Sequence, residues 1–171
     1  LFLTGPGVVR RATGEVVDVQ ELGGADVHAR SAGTAHLTVP QETEAWVVAR
    51  EVVACAPLRR LGEMALPLVP GGAGAAVTPL DGGTARVVPV DPGAVDDVRG
   101  LLARLTDRGE VIELRPRWAP CVVTALARVE GVPVGVVATQ PAVGAGALTP
   151  SASQKVAEHV RLCSDLGLPL L

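Results

Sequence analysis

Apolar positions recur at helical spacing in three stretches of the chain. In "QETEAWVVAREVVACA", residues 41–56, Trp46, Val48, Ala49, Val52 and Val53 fall on one face of a predicted helix. Pro40 suits the approach to its first turn, Glu42 and Glu44 sit at its positive end, and Pro57 ends it. A second helix is predicted from Val95, with Val98, Leu101, Leu102 and Leu105 in line. Asp96 and Asp97 lie in its first turn, Arg104 and Arg108 near its last, and Gly109 just beyond. "SASQ", residues 151–154, reads as a capping box. The helix it opens places Ala152, Val156, Val160 and Cys163 on one side and stops at Gly167. Strand-like runs occupy residues 111–114, 121–129 and 132–139, the last two joined through Glu130-Gly131 as a hairpin. Residues 1–9, interrupted by Gly5-Pro6-Gly7, and residues 15–19 read as further short strands, and residues 168–171 begin another.

Between the first two helices the pattern disappears. "LPLVPGGAGAAVTPLDGGTARVVPVDPG", residues 66–93, is rich in Pro and Gly and reads as a linker between two structural units. Three parts follow: 1–65, 66–93 and 94–171. The strand–helix–strand order after residue 132 fits a βαβ unit, and hence an α/β fold with a partly parallel, layered sheet. Both ends read as apolar strands that need partners, so the 171 residues are expected to be a piece of a longer polypeptide.

Composition narrows the class. Hydrophobic residues make up 48% and charged residues 19%, which describes a globular chain. The net charge is −3 and aromatic residues are only 2%, so neither a basic surface nor stacking platforms for nucleic acid are expected. Cys55, Cys121 and Cys163 are widely spaced and form no CxxC pair, which suits buried thiols in a reducing cytoplasm. No apolar run reaches the roughly 18 residues of a membrane span, and no signal peptide is visible, so no membrane partner is expected.

The candidate chemistry gathers in "ELGGADVHARSAGTAHL", residues 21–37. His28 and His36 have only Asp26 nearby, too few ligands for a metal site. Gly23-Gly24 belongs to no dinucleotide fingerprint, and "PGGAGA" lacks the Lys-Ser/Thr of a phosphate loop. The glycines serve either a tight turn or the close approach of a ligand to bare backbone, and the residues alone leave both open. Ser31, Ser151 and Ser153 stand in no nucleophile elbow, and Cys163 falls on the apolar helix face.

Several segments in order resemble the carboxyltransferase (β) subunit of biotin-dependent acyl-CoA carboxylases, the propionyl-CoA carboxylase type most closely. They are "LFLTGPGVVRRATGEVVDVQELGGADVHARSAGTAHL", then "ARVEGVPVGVVATQP", then "GALTPSASQKVAEHVRLCSDLGLPLL". The resemblance covers most of the chain and is weak only in the linker. It implies two crotonase-like domains in tandem, with this segment across their junction. Residues 1–65 would close the first domain, 66–93 link the two, and 94–171 open the second. The implied reaction moves a carboxyl group from carboxybiotin to the α-carbon of a short acyl-CoA through an enolate. Backbone N–H donors would hold the developing oxyanion.

The resemblance also implies its partners: acyl-CoA as substrate, biotin on a biotin carboxylase or carrier subunit, and a homo-oligomer, hexameric in the family. Gly23, Gly24, His28 and Gly33 match the family's loop near the acyl-CoA side, as ligand contacts or as residues that shape that loop. Gln140 and Pro141 lead into the loop region of the biotin side. No catalytic residue and no metal ligand is carried over, because the family's oxyanion motifs lie outside these residues. The departures are Gly7, Ala32 and Thr139, where the family usually has other residues, His36, which follows Ala35 directly where the family usually has an acidic residue between them, and "GEVIEL", which lacks the usual phenylalanines. A non-catalytic scaffold subunit and an acyl-CoA decarboxylase subunit are the alternatives.

Overall fold

The computed structural model describes residues 1–55 and 97–171. The predicted linker 66–93, the helix stop at Pro57, and Val95 with Asp96 lie outside the described residues.

A three-stranded antiparallel sheet forms the centre, with β1 (Val111–Leu114), β2 (Val122–Val129) and β3 (Val132–Thr139) in that spatial order. Ile112 stands opposite Leu126, and Leu126 opposite Gly135. The middle strand is apolar along nearly its whole length because both faces are covered, so it shows no alternation. The hairpin forms where expected. Glu130 and Gly131 both take positive φ, 52° and 78°, and the Asp107 carboxylate accepts from both of their N–H groups at 2.9 and 2.7 Å.

Helix α4 (Val98–Leu105) covers one face, where Leu102 packs with Val123, Ala125, Ala127 and Val136. Asp97 is its N-cap, accepting from the Arg99 N–H at 2.9 Å. The helix stops earlier than the Gly109 signal indicates. Thr106 is extended, and Arg108 is left-handed (φ 57°) in a separate 3₁₀ turn, Asp107–Gly109.

The other face is covered by α5 (Pro150–Leu166) and α3 (Glu42–Cys55). There Cys55, Leu114, Leu126, Cys163 and Leu168 form one cluster, and Cys121, Val122 and Ala152 a second. After α5 the chain returns beside β3, where Leu170 bridges Gly135 in parallel. The layers are therefore helix, sheet, helix. No helix among the described residues is long and apolar enough to cross a membrane.

Several local expectations are corrected. The capping box at Ser151 does not form. Thr149 caps α5, its hydroxyl accepting from the Ala152 N–H at 3.2 Å, because Pro150 suits the first helical position and pulls the start forward. The buried stripe of α5 runs Ala152, Lys155, His159, Cys163, while Val160 faces outward. Residues 1–9 are not a strand. Pro6 opens α1 (Pro6–Thr13), which Gly14 ends in the left-handed conformation. Residues 15–19 are not a strand either, since Asp18 caps a short α2 (Val19–Gly23). A strand needs a paired neighbour, and none of the sheet reaches these residues. In α3 the predicted face is displaced: Trp46 is 67% exposed and Val53 also faces out, while Val52 and Cys55 make the contact.

Candidate functional site

The predicted loop is built from α2, a single π turn (Val27–Ser31) and an irregular tail that reaches the sheet. The three glycines in it are packed closely. A Cβ on Gly23 would stand 2.5 Å from the Leu1 carbonyl oxygen and 2.8 Å from the Phe2 ring, and one on Gly24 would stand 2.6 Å from the Gln20 carbonyl oxygen. His28 lies between two partners. Its Nε2 donates to the Leu1 carbonyl at 2.7 Å, so Nδ1, 2.7 Å from the Thr34 hydroxyl, is the accepting nitrogen.

Gly33 is buried at φ +64°, and any side chain there would enter the Trp118 indole ring. Bare backbone is thus needed at all three glycines, and in this chain the approaching atoms are the protein's own. Ala32, by contrast, is exposed. His36 does not join His28. Its carbonyl accepts from the Arg115 N–H at 2.7 Å, and burial together with the Arg115 cation holds its imidazole below the usual range. Among the described residues no group of three His, Cys, Asp or Glu side chains could hold a metal.

The loop rests on the connector between β1 and β2, residues 115–121. Arg115 and Ala119 there take positive φ, 54° and 45°, a conformation that disfavours each by about 1–2 kcal/mol. Three contacts join loop to connector: Gly33 with Trp118, the His36 carbonyl with Arg115, and Asp26 with Arg117 at 2.7 Å. The Arg115 guanidinium lies 5.4 Å from the Trp118 ring centroid and pairs with Glu158 of α5.

Beneath the connector is a residue that the sequence reasoning passed over. Lys155 is fully buried, and its Nζ donates to the carbonyls of Trp118 (2.9 Å), Val122 (2.7 Å) and Ala119 (3.5 Å). Burial pushes its ammonium down to about 8. One turn on, His159 lies 3.5 Å from the Cys163 sulfur, and burial lowers its pKa and raises that of the thiol. The available signal was the stripe itself, since Lys155 and His159 stand three and seven residues after Ala152.

At the far end of β3, Gln140 is fully buried and ties three segments together. Its Nε2 donates to Asp97 at 2.5 Å, and its Oε1 accepts from the N–H groups of Val98 and Ala142, both at 3.3 Å. Asp97 in turn meets Arg99, which grips Glu113 of β1 with two bonds of 2.6 and 2.8 Å. The loop that follows coils through Gly144, Ala145 and Gly146, all at positive φ. Among the described residues, nothing lies within 4 Å of the place a Cβ would take on Gly144, so its backbone is open on that side to them.

The carboxyl transferase domain family matches residues 1–171, the whole chain. The chain belongs to this family. Among its relatives, the propionyl-CoA carboxylase beta chain of Saccharopolyspora erythraea is 36% identical over 181 residues, covering 100% of this chain and 32% of that one. The methylmalonyl-CoA carboxyltransferase 12S subunit of Propionibacterium freudenreichii subsp. shermanii is 35% identical, with coverage of 100% and 32%. Among solved structures, the transcarboxylase 12S hexamer with methylmalonyl-CoA and methylmalonic acid bound aligns at a TM-score of 0.86 and 36% identity, over 99% of this chain and 32% of that one. This carboxyl transferase chain therefore spans about a third of the length of the curated relatives it matches. The mixed helix and sheet arrangement agrees with that structure.

Proposed function

We propose that the chain is part of the carboxyltransferase component of a biotin-dependent acyl-CoA carboxylase. The component moves a carboxyl group from carboxybiotin to the α-carbon of a short acyl-CoA. The observation that carries this is the family match along all 171 residues, joined to the likeness to a transcarboxylase structure that holds methylmalonyl-CoA. Loss of the α-proton gives an enolate, whose oxyanion is held by fixed backbone N–H groups from the rest of the polypeptide. Carboxybiotin supplies the activated carboxyl group.

The fold reading is two crotonase-like domains in tandem. Residues 1–65 close the first, 66–93 cross between them, and 94–171 open the second. The helix–sheet–helix layering supports it. Gly23, Gly24, His28 and Gly33 are read as shaping the loop on the acyl-CoA side, because the space a side chain would take on each glycine is filled by protein. The loop after Gln140 is read as the biotin side, and the open backbone at Gly144 fits a ligand pressed against the main chain. A biotin carrier partner, a homo-oligomer and a cytoplasmic location belong to the same proposal.

The test uses the full-length polypeptide in the reverse direction, with propionyl-CoA and methylmalonyl-CoA offered separately and free biotin as acceptor. Biotin-dependent loss of the carboxyl group from methylmalonyl-CoA is the expected result. Tight CoA-ester binding with no transfer in either direction would support a scaffold subunit instead.

A further inference from the structure

We propose that Lys155 is a positioning residue for the acyl-CoA-side loop. Its ammonium gathers the carbonyls of Trp118, Ala119 and Val122, and so fixes the connector on which residues 33–36 are seated. The proposal rests on the reading that this loop belongs to the acyl-CoA side.

A buried lysine is rare, and a methionine would fill a similar volume. What a methionine lacks is three N–H donors, and here each of the three has a carbonyl within 2.7–3.5 Å. Those carbonyls converge because the connector doubles back, with Arg115 and Ala119 both left-handed. Such a segment persists only when its surroundings over-determine it.

Helix α5 supplies that constraint at two points. Lys155 holds the connector from inside, and Glu158 holds Arg115 from the rim. Trp118 is the piece between. Its carbonyl is bound by Lys155, and its ring is the surface that Gly33 meets. The adjoining Arg115 N–H holds the His36 carbonyl. A displacement that starts at Nζ therefore reaches the loop through two contacts of the same connector, Trp118 with Gly33 and Arg115 with His36, and touches the β2–β3 pairing only at its first residue, Val122. That pairing is held independently by its own ladder. The biotin-side loop has a separate support in Gln140 and Asp97.

The experiment substitutes Lys155→Met in the full-length polypeptide. It reads amide hydrogen exchange together with the kinetics of carboxyl transfer in the reverse direction, from methylmalonyl-CoA as donor to free biotin as acceptor. Expected are faster exchange over residues 26–37 and 115–122 with unchanged protection in β2 beyond Val122 and in β3 as far as Ala138. KM for methylmalonyl-CoA is expected to rise about tenfold, with kcat and the KM for biotin within about twofold of wild type. Unchanged exchange over residues 26–37 overturns the proposal. Faster exchange there with an unchanged KM for methylmalonyl-CoA overturns the placement of the loop on the acyl-CoA side, and the positioning role with it. Should K155M fail to fold, K155Q keeps two donors facing the carbonyls and is expected to show the same pattern at smaller amplitude. Wild-type behaviour of K155Q on both readouts overturns the proposal as well.

Discussion

The two described parts of the chain are held in different ways. Residues 97–171 carry their own interior: β2 is buried on both faces, and the core clusters centre on it. Residues 1–55 bury little besides Gly23, Ala29, Gly33 and Cys55, and Cys55 is buried against the other part. The first part is thus shaped by docking, through Trp118, Arg115 and Arg117, and the second by packing. A docked segment can be loosened without unfolding its support, whereas a packed core fails as a unit.

The largest way to break this contrast is Leu126→Ala. Leu126 is 1% exposed at the centre of the main cluster, and its truncation is expected to destabilise the whole fold by about 3–5 kcal/mol in urea denaturation. Alkaline titration acts on the packed part in the opposite sense. Lys155 titrates near 8 when folded and 10.5 when exposed, so between those values the unfolded chain binds more protons. Stability is therefore expected to rise with pH across that window, by at most about 3 kcal/mol, and K155M should lack the rise.

Gly33→Ala addresses the docked part. Its positive φ and the Trp118 ring together predict a loss of about 2–3 kcal/mol in the free energy of local opening. The loss should appear as faster hydrogen exchange over residues 26–37 while β2 stays protected. Thr149→Ala should cost about 1 kcal/mol, with Ser151→Ala nearly neutral, which sharpens the assignment of the cap of α5. The smallest effect is expected from Trp46→Ala on the outward face of α3, within about 0.5 kcal/mol by the same denaturation assay.

The same contrast explains what was legible. In residues 97–171 the strands, the Glu130-Gly131 hairpin and the glycine stop of α5 could be read directly, because local pattern and packing agree there. In residues 1–55 the pattern misleads. "LFLTGPGVV" looks like an interrupted strand, yet Pro6 opens a helix, and no strand among the described residues pairs with it. The glycine loop was located, but its surroundings were not. Nothing in the spacing of residues 21–37 tells that Trp118 will meet Gly33, or that Arg115 will hold His36. Lys155 escaped because a charged residue on a buried stripe is first assigned to the solvent side; only the convergence of three carbonyls offsets part of the cost of burying it.

The meeting of Gly33 with Trp118 has a consequence for how such chains can vary. The two positions are far apart in sequence, yet position 33 is not free to change while Trp118 stays. With an indole at 118, every residue larger than glycine at 33 is excluded; with a small side chain at 118, the steric half of that exclusion lifts and only the backbone preference remains. A larger residue at 33 therefore requires a smaller one at 118 beforehand, so that the order of substitution, and not only its outcome, is written into the packing.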